Sequence, residues 1–267
     1  MIASHPTHVA LHDVTKVFQS KLGSIEALGP VDLELRQGEF FAVVGPSGCG
    51  KSTLLDIIAA LAPPSKGMVT FEGRPIGSSV PDGIGVVFQE NACFPWLNVA
   101  DNITFGLRRQ PLEKAEIERR LQRALQLMGL KEFSRAFPAQ LSGGMRQRVC
   151  IARTLVMQPR LILLDEPFGA LDQQTRLLMG DELLRVWRAT GATILLITHA
   201  LDEAAMLADR VAVMSARPGR IMEIIETGWP CSRDSQIVSA PEFGAITGRL
   251  WSLLRTQSLH ALRPDTA

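Results

Sequence analysis

The stretch Glu39–Leu61 reads EFFAVVGPSGCGKSTLLDIIAAL, and it decides the architecture expected of the chain. Phe40–Val44 is an unbroken apolar run that stops at Gly45, the pattern of a strand buried on both faces. STLLDIIAAL then places Leu54, Leu55, Ile58 and Leu61 on one face of a predicted helix. The residues between, GPSGCGKST, fit G-x-x-x-x-G-K-[ST] in the strand–helix setting that the motif requires. Glycines let the backbone curl so that successive N–H groups face an anion, and the helix opening near Lys51 turns its positive dipole end the same way. Gly45, Pro46, Ser47, Gly48, Cys49, Gly50, Lys51, Ser52 and Thr53 are therefore the candidate cradle for nucleotide phosphates. Lys51 is expected to reach the β- and γ-phosphates, and the Ser52 hydroxyl to ligate Mg²⁺, a hard cation that takes oxygen ligands. A glycine-rich turn with a chance lysine would explain the composition but not its placement.

Upstream, VALHDV and VDLELR put Val9, Leu11, Val31, Leu33 and Leu35 on alternate positions, as half-buried strands do. Downstream, GVVFQ, LILLDEP, TILLITH and RVAVMS are short runs rich in branched residues, several of them separated by helix-length segments. Buried strands alternating with helices predict an α/β fold, a mostly parallel sheet flanked by helices. Residues 92–158 differ, with no comparable strand run. Asn98 and Asp101 form a capping pair at a helix start, and Ile117, Leu121, Ala124, Leu125 and Met128 share a helical face that Gly129 ends. The region reads as an α-helical insertion between two strands of the core.

In open α/β sheets, ligands bind outside the carboxyl ends of the strands. LILLDEP places Asp165 and Glu166 at such an end, Asp165 to hold Mg²⁺ and Glu166 to act as general base toward an attacking water. His199, ending TILLITH, is positioned for the γ-phosphate or that water, although a lone histidine is commonly structural. Gln89, ending GVVFQ, is a candidate for Mg²⁺ or water and stands where the insertion begins.

LSGGMRQR, Leu141–Arg148, has a serine and two glycines where another helix starts. A serine N-cap explains Ser142 but not Gly143 and Gly144. A helix start with small residues is a second anion site. The chain already has one at the phosphate loop, so the second is free for a partner.

The 267 residues are 46% hydrophobic with a net charge of +1, enough for a core and without a global pull toward nucleic acid or anionic lipid. Arg119, Arg120 and Arg123 read as a solvated helix face. No apolar run reaches a membrane span, and MIASHPTHVA does not resemble a secretory signal. Cys49, Cys93, Cys150 and Cys231 are too widely spaced for a metal or disulfide framework and are expected as reduced thiols.

With these motifs in this order, the chain resembles the ATP-binding subunits of ABC transporters over roughly residues 9–225. The resemblance equates Gly45–Thr53 with Walker A, Gln89 with the Q-loop, Leu141–Gln147 with the signature, Leu161–Glu166 with Walker B, Ala170–Asp172 with the D-loop and His199 with the switch histidine. Phe18 stands where the family usually has a tyrosine stacking on adenine; the chain contains no tyrosine, and phenylalanine keeps the ring face. The resemblance implies a P-loop NTPase core with an N-terminal antiparallel β-subdomain and the helical insertion, within an ATPase domain over 8–229, followed by a partly helical tail over 230–267. It implies ATP and Mg²⁺ as cofactors and a head-to-tail pair of copies. In that pair Ser142, Gly143 and Gly144 meet the γ-phosphate held by the other copy, and Asp172 belongs to the nucleotide site.

The function implied is hydrolysis of ATP to energise uptake of a small solute through separate membrane permease subunits. A periplasmic solute-binding protein would be engaged indirectly, and the chain would lie on the cytoplasmic face of the inner membrane as a peripheral subunit. FPWLNVADNITFGL, HALDEAAMLADRVAVMSARPGRI and PEFGAITGRLWSLLR are similar to the branch importing nitrate, sulfonates, taurine and related solutes, although WPCSRDSQ lacks that branch's proline–arginine-rich pattern. Phe94, Pro95, Trp96 and Leu97 are expected to receive the permease's coupling helix; packing inside the insertion is the other reading. The alternative function is a non-transport ABC ATPase acting on a ribosome or nucleic-acid complex, disfavoured by the single domain and near-neutral charge. A small-molecule kinase is disfavoured by LSGG and His199.

Overall fold

The computed structural model describes residues 6–20, 23–89, 92–169 and 171–261. Residues 1–5, read above as lacking a signal, Ala170 of the expected D-loop, and 262–267 of the expected tail lie outside the described residues.

The described residues form two sheets with a helix between them. Strands β1 (Thr7–Ser20), β2 (Gly23–Arg36), β3 (Phe40–Val44), β4 (Lys66–Phe71), β5 (Arg74–Pro75), β6 (Ile84–Val87), β7 (Leu161–Asp165), β8 (Thr193–Thr198), β9 (Arg210–Met214) and β10 (Ile221–Glu226) divide into two groups. One sheet has the order β2-β1-β4-β5 and is antiparallel. The other has the order β10-β9-β3-β8-β7-β6, parallel except for β10. The antiparallel sheet is thus not purely N-terminal, because β4 and β5, on segments with little alternation, return after the first helix to complete it.

Side chains along the central strands alternate between two cores. Phe40, Ala42, Val44, Ile162, Leu164, Ile194 and Leu196 face the helices of the second half of the chain. Phe41, Val43, Leu161, Leu163, Leu195 and Ile197 face helix α1 (Lys51–Ile58) and the antiparallel sheet. Period two in the backbone therefore makes a continuous apolar run serve both faces. Helix α1 ends at Ile58, and Leu61, expected on its buried face, is 49% exposed. The N–H groups of Leu61 and Ala62 both return to the Asp56 carbonyl, with Ala60 in the left-handed region, so the chain leaves the helix one turn early.

Between β6 and β7, among the described residues, the structure is helical: α2 (Val99–Thr104), α3 (Lys114–Leu127), α4 (Gly143–Leu155) and short 3₁₀ turns. Asn98 caps α2, its Oδ1 accepting the Asp101 N–H at 2.8 Å. Gly129, at φ 62°, follows the end of α3. Asn102 is fully buried in α2: its Nδ2 donates to the carbonyls of Phe94, Leu97 and Asn98, and its Oδ1 accepts the Phe94 N–H. One side chain thereby shapes the loop ahead of α2.

Helices α5 (Gln173–Thr190) and α6 (Leu201–Leu207) cover the sheet, and α7 (Pro241–Ala261) packs on α6 through Phe243, Leu250 and Leu254. The described part of the expected tail therefore adds to the core. Buried Arg233 donates to the Asp209 carboxylate at 2.7 Å and to the Leu207 carbonyl, and Trp229 donates to the Ala205 carbonyl at 2.6 Å.

Candidate functional site

Because β3, β6, β7 and β8 run parallel, their carboxyl ends lie along one edge of the sheet. Val44 pairs with Thr198, Asp165 with Ile197, and Val87 with Leu164. The phosphate loop, Gln89, Asp165, Glu166 and His199 each follow or end one of these strands, and register brings together residues separated by more than 100 positions.

The phosphate loop forms under tight constraint. Gly50 caps α1 at φ 105°, and a Cβ there would meet the Ala27 carbonyl oxygen at 2.7 Å and Leu28 at 2.8 Å. Only glycine satisfies both the left-handed backbone and the approach of the antiparallel sheet. Lys51 is buried, its Nζ donating to the carbonyls of Gly45 and Pro46 at 2.9 and 3.0 Å. The Cys49 side chain turns into the core beneath the loop, and burial pushes its thiol up.

The Ser52 hydroxyl donates to Asp165 Oδ1 at 3.2 Å, which joins two of the three expected metal ligands. Burial raises the Asp165 carboxyl above its ordinary range; the Ser52 hydrogen bond opposes this, and the neighbouring Glu166 and Asp56 charges add to it. Among the described residues no three His, Cys, Asp or Glu converge as a metal cluster. A hydroxyl and a crowded carboxylate beside a phosphate cradle suit a hard divalent cation that takes its remaining oxygen ligands from phosphate and water.

Glu166 sits at the hub. Its Oε2 accepts the Gln89 amide at 3.1 Å and lies 3.1 Å from His199 Nδ1. Its φ of 44° is left-handed, unusual for a residue with a side chain, and its N–H is fixed to the Ile197 carbonyl at 2.8 Å. Gln89 is thus directed at Glu166 and not at the Ser52–Asp165 pair. His199 is braced from behind: Thr198 Oγ1 accepts the Ala200 N–H at 3.0 Å and donates to Glu203 Oε2 at 2.7 Å. Burial raises the Glu203 carboxyl to about 7, opposed by the Thr198 hydrogen bond and Arg176 and reinforced by Glu166.

Lys51, Ser52, Gln89 and Glu166 open onto a cleft of about 580 Å³ lined also by Phe18, Ile25, Ala27, Ser47, Gly48, Gly50, Thr53 and Arg217, and Asp165 and His199 adjoin it through Ser52 and Glu166. Phe18 and Ile25 are cross-strand partners of β1 and β2, and each is 45% exposed, so an apolar platform stands beside the phosphate loop. Lys16 Nζ lies 5.1 Å from the Phe18 ring centroid. Arg217 was not singled out from sequence; its guanidinium donates to the Gly48 carbonyl at 3.0 and 3.2 Å from 169 positions away, and no local pattern marks it.

Asp172, Ser142, Gly143 and Gly144 are not among the residues that line this cleft. Asp172 caps α5, accepting the Thr175 N–H at 3.0 Å and its hydroxyl at 2.7 Å, and these bonds lower its carboxyl. Ser142, exposed, caps α4 by accepting the Met145 N–H at 3.3 Å. A Cβ on Gly143 would come no nearer than 3.9 Å to another group, and one on Gly144 no nearer than 3.7 Å. Packing inside the chain therefore does not require glycine at either position.

A groove of about 720 Å³ borders the helical region, lined in part by Phe94, Phe105, Leu112 and Met157, with Trp96 beside Phe94 and 70% exposed. No helix among the described residues is long and apolar enough to cross a membrane.

Comparison with known proteins bears on this geometry. Residues 28–169 match the family described as ABC transporter. The chain is 41% identical over 254 residues to the nitrate import ATP-binding protein NrtD of Synechocystis sp., covering 93% of this chain and 95% of the relative. It is 39% identical over 234 residues to the aliphatic sulfonates import ATP-binding protein SsuB of Bacillus cereus, covering 88% and 92%. A solved dimeric ATP-binding cassette, in a post-hydrolysis state bound to ADP and Pi, superposes with a TM-score of 0.73 at 31% identity, covering 83% of this chain and all of that one.

Proposed function

The chain belongs to the ABC transporter family of ATP-binding proteins, and from that premise we propose that it is the ATP-hydrolysing subunit of an importer for a small anionic or zwitterionic solute such as nitrate, a sulfonate or taurine. The observation that carries the reading is the meeting of Gln89, Glu166 and His199 at the sheet edge beside the phosphate loop.

ATP enters the cleft with its adenine against Phe18 and its phosphates against the N–H groups of the loop. Lys51 leaves its two carbonyl partners for the β- and γ-phosphate oxygens. Ser52 and Asp165 would hold Mg²⁺, which when bound neutralises phosphate charge. Glu166 accepts a proton from the attacking water, and Gln89 and His199 orient that water and the terminal phosphate. The active unit is a head-to-tail pair in which Ser142, Gly143 and Gly144 of one copy close on the γ-phosphate of the other. That packing inside the chain does not require glycine at either position supports this contact. Two identical contacts follow from two-fold symmetry. Hydrolysis weakens both, so nucleotide state biases an open–closed equilibrium.

Exposed Trp96, half-buried Phe94 and their groove receive the permease subunits, so the chain sits at the cytoplasmic face of the membrane as a peripheral subunit. A periplasmic binding protein delivers the solute on the far side, and solute choice resides in those partners. The test is Glu166→Gln, with ATP binding, phosphate release and dimer mass measured on one preparation. Retained binding, phosphate release lowered on the order of a hundredfold or more, and a stable ATP-bound dimer are expected. Turnover at the parental rate removes Glu166 from the base role.

A further inference from the structure

Cys93 and Cys150 are 57 positions apart in sequence, yet their sulfurs lie 3.5 Å apart. Cys93 is partly exposed in the loop that precedes α2, and Cys150 is buried in α4. Neither belongs to the nucleotide cleft.

Three contacts hold the loop against the helix at this point. Arg153 donates to the Ala92 carbonyl at 2.7 Å, its guanidinium lies 5.0 Å from the Phe94 ring centroid, and Cys93 Sγ donates to the Arg146 carbonyl at 3.4 Å. The sulfurs are therefore neighbours because the backbone on both sides is fixed, and a bonded pair needs an approach of only about 1.5 Å. The contact between the sulfurs holds the Cys150 thiol below its ordinary value, against burial and with help from Arg153, and the same contact, with burial, pushes the Cys93 thiol well up.

We propose that Cys93 and Cys150 form an oxidative cross-linking site that a peroxide closes and a thiol reopens, and that closure slows ATP turnover. One sulfur of the pair attacks one peroxide oxygen; the O–O bond breaks, that thiol's proton leaves with the departing hydroxide as water, and a sulfenic acid remains. The other sulfur then attacks the oxidised one, the S–O bond breaks, and hydroxide leaves with the second thiol's proton as a second water. In sum, two thiols and one hydrogen peroxide give one disulfide and two waters; the sulfurs lose two electrons and the peroxide oxygens gain them.

The consequence follows from what the two residues are attached to. Cys93 lies four positions beyond Gln89, whose amide holds Glu166. Cys150 lies in the helix whose first turn carries Ser142, Gly143 and Gly144. A covalent bond between them ties the loop ahead of α2 to the helix that faces the partner's nucleotide. This consequence rests on the ATPase reading above; the chemistry of the sulfur pair does not.

The experiment treats the full-length protein with hydrogen peroxide, maps disulfides by peptide mass spectrometry without reduction, and follows ATPase activity before oxidation, after it, and after dithiothreitol. A 93–150 cross-linked peptide, activity lowered about threefold or more, and recovery on reduction are expected. Cys93→Ser is expected to form no such peptide and to keep its activity under the same dose; Cys150→Ala, at the buried position, provides the second variant. Absence of the 93–150 peptide at a dose that oxidises exposed Cys231 overturns the site, and a cross-linked protein with unchanged turnover overturns its effect. Lack of ATPase activity in the reduced protein would instead strike the functional reading, since the cross-link is scored by mass alone.

Discussion

Replacing Glu203 by glutamine should remove a pH-dependent weakness from the fold. Glu203 is 6% exposed; its Oε2 accepts the Thr198 hydroxyl, and its Oε1 has no hydrogen-bond partner in the protein. Burial raises the carboxyl from 4.5 to about 7, with the Thr198 bond and Arg176 opposing and Glu166 adding to the shift. In the unfolded chain the same group ionises near the ordinary glutamate value. Between the two values the folded protein keeps a proton that the unfolded chain has released, so stability falls as pH rises through that window and stays low above it. At about 1.4 kcal/mol per pH unit, the loss approaches about 3 kcal/mol once the folded group is ionised. Glutamine has nearly the same shape, can accept the Thr198 hydroxyl and carries no charge, so the variant lacks this slope. Urea unfolding of parent and Glu203→Gln at about pH 5 and about pH 8 should show their stability difference moving in the variant's favour by about 2–3 kcal/mol at the higher pH. Any constant penalty from the new amide cancels in that comparison. Parallel stability–pH curves for the two proteins would refute the reasoning. Because Thr198 keeps its partner, the brace behind His199 persists, and turnover near neutral pH should stay within a few-fold of the parent.

Mixing Ser142→Arg chains with Lys51→Ala chains should restore one intact site per heterodimer, read as recovered ATP-driven dimerisation; no recovery defeats the cross-copy assignment. Asn102→Ala should cost about 2–4 kcal/mol, because four backbone groups lose one buried partner, and thermal unfolding with hydrogen exchange should place the loosening in residues 94–98. Leu250→Ala should cost about 3 kcal/mol in denaturant unfolding, since α7 is core and Leu250 is fully buried. A cost below about 0.5 kcal/mol would make α7 a dispensable appendage.

Legibility differed by element. FFAVV, LILLD and TILLIT are readable as buried strands because an apolar run needs only its own residues to state that both faces are covered. The capping of α2 and α4 by Asn98 and Ser142 is equally local. The segment Lys66–Pro75 was less legible: β4 and β5 show little alternation and take their place by pairing with β1.

At the site, the sequence by itself determined the chemistry: a loop whose amides and lysine suit phosphate, carboxylates at a strand end, a histidine and a glutamine at two others. Each is a short pattern whose meaning depends on the backbone within a few residues. Tertiary structure alone decided that Gln89 turns to Glu166, that Arg217 grips Gly48, that Glu203 stands behind His199, and that two cysteines 57 positions apart nearly touch. Periodicity records which side of an element is buried, but not which other element covers it. That choice is set by the summed packing of both cores, and the contacts made across it leave no mark in the local order of residues.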